Sequence, residues 1–364
     1  MAAKSKIEWT DASYTPIRAR NKATGKVGWH CEHASPGCVN CYSETQNKNG
    51  FAGGTRLPFK PGHRADVDLF LDEKMLTQPL RWRKPKVIFV CSMTDAFADF
   101  VPDAWLDRMF AVCALAPQHT FVWLTKRAKR MREYHADNGR LSRMAQIVYD
   151  LAGAPASMSV SWPLPNVVLG TSAEDQQRAD ERIPDLLATP AAKRIVSIEP
   201  MLGPIDLTGE DYEGPLANGE PSLEQMTGPH GAYFMRHGAS RLNGVILGGE
   251  SGPGARPALA AWRRSVRDQC AAAGVAYFDK QWGEWIDADE WLRMMETPCN
   301  RVMAGDRRLV SPLNFEDAEI LAGIGSYRFE HQSDGSTMIR VGKSRAGRLL
   351  DGRTHDDLPW SLSK

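Results

Sequence analysis

Short runs of consecutive apolar residues recur along the chain, separated by stretches with helically spaced apolar positions. Six runs rich in β-branched and aromatic residues are Val87–Cys91, Thr120–Leu124, Asn166–Leu169, Arg194–Ile198, Gly244–Leu247 and Val275–Phe278. Such continuous runs are typical of parallel strands that are buried on both faces. Helical stretches between them include Pro102–Cys113, Glu174–Leu187 and Ala258–Ala273, the last of which ends before Gly274.

The alternation of strands and helices predicts a parallel α/β fold. With a further strand near the N-terminus, the six runs predict a complete or partial (β/α) barrel. A doubly wound open sheet is the alternative, but no glycine-rich dinucleotide fingerprint follows the first strand. We expect the barrel core in residues 1–282, with an irregular Gly- and Pro-rich insertion at 206–242, and a C-terminal appendage with a basic tail at 283–364.

Polar and charged residues follow the predicted strands at the points where the strands end. They include Asp95, Lys126, Arg127, Ser172, Glu174, Glu199, Gly248, Gly249, Glu250 and Lys280. Exposed loops are polar in any protein. In an α/β barrel, however, the carboxyl ends of the strands form one face, and that face holds the active site. We therefore predict that these residues converge on a shared site.

The charge balance argues against a general nucleic-acid binder, because the 364 residues carry a formal net charge of +1. Two local basic stretches nevertheless predict polyanion binding, one with Arg81 and Arg83 and the other with Lys126, Arg127 and Arg130. The alternative for each stretch is a solvated surface. No apolar run approaches the ~20 residues of a membrane span, and the first residues lack a signal-peptide pattern. We expect a cytoplasmic protein.

Three cysteines in the segment 29–44, Cys31, Cys38 and Cys41, have the spacing C-x6-C-x2-C. Thiolates are soft ligands that bind zinc and iron–sulfur clusters. Ordinary buried thiols are one interpretation, although this polar segment would make a poor core. Zinc with His30 or His33 as the fourth ligand is the second, although no further ligand pair is evident. The third is a [4Fe-4S] cluster held by three cysteines, with one iron open to a small molecule.

Several motifs taken together resemble the phage-associated three-Cys-motif proteins over residues 7 to about 359. They are Trp9–Ala12, Ser35–Tyr42, Leu124–Arg127, Ser197–Pro200, Gly248–Ser251, Lys280–Gly283 and Gly347–Arg353. The cysteine segment of that family is similar to that of radical S-adenosylmethionine enzymes. The resemblance implies a partial α/β barrel, a [4Fe-4S] cluster and S-adenosylmethionine. Radical enzymes use C-x3-C-x2-C and place Gly-Gly-Glu after the second strand, whereas here the gap is six residues and Gly-Gly-Glu follows a late strand.

These observations favour an iron–sulfur enzyme of the radical type that acts on a nucleic acid or nucleotide and needs an electron donor. We expect the metal on the three cysteines. The expected cofactor contacts are Tyr42, Asp95, Ser172, Glu174, Glu199, Gly248, Gly249 and Glu250, and the expected polyanion contacts are Lys126, Arg127, Arg130, Arg81, Arg83 and Lys280. The alternative is a DNA- or RNA-binding protein in which an iron–sulfur cluster or zinc only staples the N-terminal loop.

Overall fold

The computed structural model describes residues 5, 7–50, 53–152, 161–208, 241–295 and 328–360. The strands are β1 (Ala12–Tyr14), β2 (Ile17–Asn21), β3 (Val27–Gly28), β4 (Val67–Leu71), β5 (Val87–Val90), β6 (Thr120–Thr125), β7 (Val167–Ser172), β8 (Lys193–Ile198), β9 (Gly244–Gly248), β10 (Ala276–Gln281), β11 (Trp285–Asp287), β12 (Arg328–His331) and β13 (Thr337–Arg340). The helices are α1 (Tyr42–Asn49), α2 (Glu73–Leu76), α3 (Asp103–Leu115), α4 (Ala128–Ala136), α5 (Arg140–Ala152), α6 (Gln176–Ala188), α7 (Ala260–Ala273), α8 (Ala288–Met295) and α9 (Lys343–Ala346).

One seven-stranded parallel sheet has the order β1-β5-β6-β7-β8-β9-β10. From β5 onward each strand pairs with the next parallel strand in the chain, so the order never reverses as it does in a doubly wound sheet. All six predicted strands are confirmed, and β1 is the expected strand near the N-terminus. The sheet curls into a partial (β/α) barrel. This confirms the prediction of an α/β fold with a complete or partial parallel barrel.

The apolar runs are continuous because both faces of the strands are buried. Inward side chains of β6 to β10 form one interior cluster with Trp9, which precedes β1; the strand residues are Val122, Val168, Ile195, Ile246 and Phe278. Outward side chains pack on the helices, as where the ring of Trp123 stacks on Phe110 of α3 with 4.3 Å between the ring centroids. An amphipathic pattern would leave one of these faces polar, and the apolar runs within β5 to β9 avoid it.

The predicted helices are confirmed as α3, α6 and α7. Helix α6 begins after Asp175, whose side chain accepts a hydrogen bond from the Arg178 N–H, as an N-cap does. Helix α7 ends at Gly274, which has a φ of +65° and so occupies a conformation that other residues rarely adopt. No helix in the described ranges is both long and apolar enough to cross a membrane.

Two small antiparallel sheets, of order β3-β2-β4 and β11-β13-β12, accompany the barrel. The sequence pattern did not reveal them, because their strands are only two to five residues long. The first sheet leads directly into the cysteine segment, since β3 ends at Gly28. The Nε of Arg18 on β2 also donates to the Gly28 carbonyl over 3.0 Å.

The C-terminal residues return to the barrel. The Asp279 N–H donates to the carbonyl of His355 over 3.0 Å, and Trp360 packs against Trp9 at the interior cluster. Residues of the predicted appendage, which begins at residue 283, therefore contact the predicted barrel core. Most of the predicted insertion 206–242, together with Cys299, lies outside the described residues.

Shortening a side chain of the interior cluster should destabilise the barrel. Ile195 is fully buried, so Ile195→Ala should lower the free energy of unfolding by about 2–5 kcal/mol, which reflects lost burial and a residual cavity. Urea unfolding followed by circular dichroism measures this. Leu141→Ala is the control, because Leu141 is 37% exposed on α5, and equal losses in the two variants would contradict the assignment of Ile195 to the core.

Candidate functional site

A cavity of about 450 Å³ lies at the carboxyl ends of the barrel strands. Its volume falls within the range of small-molecule sites. Residues that follow five successive strands line it, together with the cysteine segment: Ser92–Asp95 after β5, Lys126 and Arg127 after β6, Ser172 at the end of β7, Glu199 after β8, and Gly249–Ser251 after β9. Parallel strands place their carboxyl ends on one side, which is why these side chains meet.

The structure brings most of the predicted site residues to this cavity. Its lining includes Cys31, Cys38, Cys41, Tyr42, Asp95, Lys126, Arg127, Ser172, Glu199, Gly249, Glu250 and Lys280. Glu174 and Gly248 are not part of the lining. Arg130 forms an ion pair with Asp103 instead. Arg81 and Arg83 precede β5, so they lie toward the opposite end of the barrel and do not join the site.

The first half of the cysteine segment is fixed by residues that follow β5 and β6. Thr94 Oγ1 donates to the His30 carbonyl over 2.6 Å. Arg127 Nη2 donates to the carbonyl of Glu32 over 3.0 Å. Cys31 lies between these two anchored carbonyls, so the barrel determines its position on this wall of the cavity.

The second half is fixed by three residues, Glu174, Glu250 and Arg256, which we call the clasp. Glu174 accepts from the Gly37 N–H over 3.1 Å. Glu250 accepts from Asn40 Nδ2 over 2.9 Å, and Arg256 Nη2 donates to the Pro36 carbonyl over 3.1 Å. The clasp residues follow β7 and β9, so Cys38 and Cys41 are held on the other wall. Because Cys31 and Cys38 lie on different walls, the six residues between them span the cavity.

The clasp carboxylates stay ionised because cations and N–H groups surround them. Arg256 reaches Glu250 through Nε at 2.8 Å and Nη2 at 2.6 Å. Burial opposes ionisation of Glu250, but the hydrogen bonds from Arg256 and Asn40 lower its pKa below the ordinary value. Burial also opposes ionisation of Glu174, yet its pKa is lowered too, by Lys126, Arg182 and the Gly37 N–H. The charge of Glu250 is thus balanced within the protein.

The other two predicted carboxylates are also engaged. Asp95 accepts from the Phe97 and Lys126 N–H groups, from Thr125 Oγ1 and from the Arg127 guanidinium, all within 2.7–3.0 Å. Glu199 accepts from Lys280 Nζ over 2.7 Å and from Ser197 Oγ over 3.1 Å. Burial alone would lower the pKa of Lys280, but Glu199 raises it above the ordinary value. Lys280 and Glu199 therefore form a charged pair in the cavity wall.

The Gly-Gly-Glu segment uses its glycines for close packing. A Cβ on Gly248 would lie 2.7 Å from Glu199 Oε1, and one on Gly249 would lie 1.7 Å from the Trp282 carbonyl oxygen. Any side chain at these positions would displace Glu199 or the backbone at Trp282, which directly follows β10. Packing therefore explains both glycines without a bound ligand.

The three cysteines of the segment are free thiols. Burial raises the pKa of Cys31 to about 12, and burial also raises the pKa of Cys41. The Ala34 N–H points at Cys38 Sγ over 3.5 Å. Burial keeps the thiols of Cys31 and Cys41 protonated, and a bound metal would remove their protons because it stabilises the thiolate.

The histidines of the segment are engaged elsewhere. His30 lies 3.3 Å from the Glu32 carboxylate and His33 lies 2.5 Å from that of Glu44. Within the described ranges, no three His, Cys, Asp or Glu side chains lie close enough together to hold one metal ion. The remaining described cysteines, Cys91, Cys113 and Cys270, belong to the core.

Sequence reasoning missed Asn40, Arg256 and Ser92. Asn40 was visible between Cys38 and Cys41, but nothing in the pattern showed that it meets Glu250, which lies 210 residues away. The carbonyl of Ser92 accepts from Tyr42 over 2.7 Å and from Ser43 Oγ over 2.9 Å, which fixes the start of α1. Only the folded chain brings these partners together.

Removing a clasp carboxylate should loosen the cysteine segment. In metal-free protein, Glu250→Ala should accelerate the reaction of Cys38 and Cys41 with a thiol reagent roughly tenfold, because charged hydrogen bonds that oppose local opening are lost. Mass spectrometry of the labelled protein measures this. Glu290→Ala is the matched control, since Glu290 is a buried carboxylate that pairs with Arg264 and Arg293. Equal acceleration in both variants would refute the clasp.

Comparison with curated proteins and with solved structures gives no match. One family model does match, and it covers residues 4–359, which is nearly the whole chain. The residues of the site described above all lie within the matched region. The chain belongs to the family described as protein of unknown function DUF5131.

Proposed function

We propose that the chain is an iron–sulfur protein of the radical S-adenosylmethionine type that acts on a nucleic acid or nucleotide. The observation that supports this proposal is the meeting of three free thiols, Cys31, Cys38 and Cys41, in one cavity at the carboxyl face of a partial barrel. That face is where barrel enzymes keep their reactive groups. Ordinary core thiols would lie among apolar side chains, whereas these three lie around a cavity that charged side chains also line.

In this proposal we favour a [4Fe-4S] cluster over a single ion, because no three His, Cys, Asp or Glu side chains of the described residues lie close enough together to hold one ion. A cluster carries its thiolate ligands on different irons, so the sulfurs lie further apart than around one zinc ion. Neither His30 nor His33 lines the cavity, so three cysteines leave one iron without a protein ligand in this proposal. When bound, the cluster would supply the electron for reductive cleavage of S-adenosylmethionine, and an external electron donor would replenish it.

The protein would position these groups and shield them. The clasp holds Cys38 and Cys41, and Arg127 with Thr94 holds the backbone around Cys31. Positioning of this kind supports catalysis, because the reaction rate falls steeply when a reacting group is misplaced. Cofactor contacts from Ser172 and Glu199 stay predictions, as do cytoplasmic location and the phage-associated family.

The alternative is a metal that only staples the N-terminal loop of a DNA- or RNA-binding protein. A structural metal stabilises a loop that has few other contacts with the rest of the protein. Here the clasp, Thr94 and Arg127 already anchor the segment from both sides without metal. The anchoring therefore favours a chemical role for the three thiols over a structural one.

Metal content tests the cluster. Protein purified without oxygen should contain iron and sulfide in a ratio near one and little zinc. Cys38→Ala should lose most of the iron, because a site with three ligands cannot spare one. Cys270→Ala should keep its iron and lose only stability, since Cys270 is buried on α7. Full iron content in Cys38→Ala, or zinc in place of iron, would refute the cluster.

Cofactor cleavage separates the enzyme from the staple. The reduced iron-containing protein should bind S-adenosylmethionine and slowly release 5′-deoxyadenosine and methionine, because the proposed open iron is the cofactor site. Chromatography of the quenched mixture measures both products. Cys41→Ala should abolish their release. Iron-loaded wild-type protein that neither binds nor cleaves the cofactor would leave the staple as the better explanation.

A further inference from the structure

The charged residues that line the cavity are paired with one exception. The ion pairs that engage them are Asp95–Arg127 at 3.0 Å, Glu199–Lys280 at 2.7 Å, Glu250–Arg256 at 2.6 Å and Glu8–Lys343 at 3.9 Å. Glu32 receives a hydrogen bond from His30 at 3.3 Å. Lys126 also lines the cavity. Among the described residues, no hydrogen bond or ion pair engages its ammonium group. The cavity therefore offers an unused cation to a ligand.

The backbone of Lys126 is held in position, although its ammonium group has no hydrogen-bond or ion-pair partner among the described residues. Its backbone N–H donates to Asp95 Oδ2 over 3.0 Å, directly after β6. Lys126 is the cation that lowers the pKa of Glu174 most, but Glu174 already pairs with Arg182 at 3.1 Å. A half-buried ammonium without a partner gains most from a charge-assisted hydrogen bond to an anionic oxygen.

Tyr42 supplies an aromatic surface in the same cavity. Its hydroxyl donates to the Ser92 carbonyl over 2.7 Å, which restrains the ring. The residue is nevertheless 47% exposed, although large apolar side chains are usually buried. A restrained and exposed ring suits stacking against a flat ligand, and every nucleobase offers such a face.

We infer that the cavity binds one nucleotide, with its phosphate at Lys126 and its base on Tyr42. The inference deepens the proposed function, because it specifies the substrate of the same site. A volume of about 450 Å³ accommodates a single nucleotide unit rather than a duplex. The unit is either a free nucleotide or an unpaired nucleotide of a nucleic acid, since both present a base and a phosphate. A cation that only balances the cysteine thiolates is the competing role for Lys126.

Paired ligands test the phosphate contact. Calorimetry should compare each of the four nucleoside 5′-monophosphates with its nucleoside, using protein purified without oxygen and the same protein after removal of metal. In wild type, at least one monophosphate should bind tenfold or more tightly than its nucleoside, as a charged hydrogen bond predicts. Lys126→Met should remove that difference. Lys129→Met, which alters an exposed lysine on the first turn of α4, should keep it.

A second comparison tests the aromatic contact. Tyr42→Leu should weaken the monophosphate roughly tenfold, whereas Tyr42→Phe should bind like wild type, because base stacking is worth about 1–3 kcal/mol per base and needs only the ring. Ribose 5-phosphate lacks the base, so its affinity should be the same in Tyr42→Leu and wild type. Circular dichroism of each variant confirms folding.

The outcomes decide between the roles of Lys126. Monophosphates that bind no tighter than nucleosides in wild type, or a difference that survives Lys126→Met, would overturn the inference and leave Lys126 as a partner of the cysteines. A short oligonucleotide that binds tighter than the monophosphate and loses affinity in Lys126→Met would identify nucleic acid as the source of the nucleotide. Equal affinity would identify the free nucleotide. Nucleotide binding to protein that carries no iron would uphold the inference even where the cluster fails.

Discussion

The cysteine segment depends on hydrogen bonds that carboxylates accept from its N–H groups. Glu174 binds the backbone of Gly37, and Glu250 binds the side chain of Asn40. Carboxylates removed from water are stable only when cations and N–H groups replace the lost solvent. Arg182 and Arg256 supply those cations. The position of the thiols, and hence the shape of the cavity, follows from this arrangement.

The barrel makes that arrangement feasible, because parallel strands deliver several loops to one face. Continuous apolar side chains bury both sides of the sheet, which makes the strand ends a rigid base for the loops. The C-terminal residues complete the base, as the ring of Trp360 reaches the interior cluster. Lys343 from the same tail lines the cavity mouth. A chain region that the pattern separates from the barrel thus contributes to its site.

Charge at the site is arranged by pairing. Four ion pairs include most of the charged side chains that line the cavity. The same pairs connect neighbouring loops. Pairs of this kind fix geometry more than they add stability, since desolvation offsets much of their attraction. In a chain with a net charge of +1, this pairing leaves few of the charged groups around the cavity for a ligand. The charged side chains that stay unpaired, and not the net charge of the protein, determine which ligand such a cavity binds.

The sequence by itself determined the parts that depend on local periodicity. Buried parallel strands need continuous apolar runs and amphipathic helices need helical spacing, so β5 to β10 and α3, α6 and α7 were predictable. The rule that parallel strands end on one face also predicted that Asp95, Glu199 and Lys280 meet the cysteines. Tertiary structure alone decided what each polar residue does. Glu250 follows a glycine pair that is typical of ligand loops, yet it pairs with Arg256 and Asn40, because hydrogen-bond partners far apart in the chain are chosen by proximity in space.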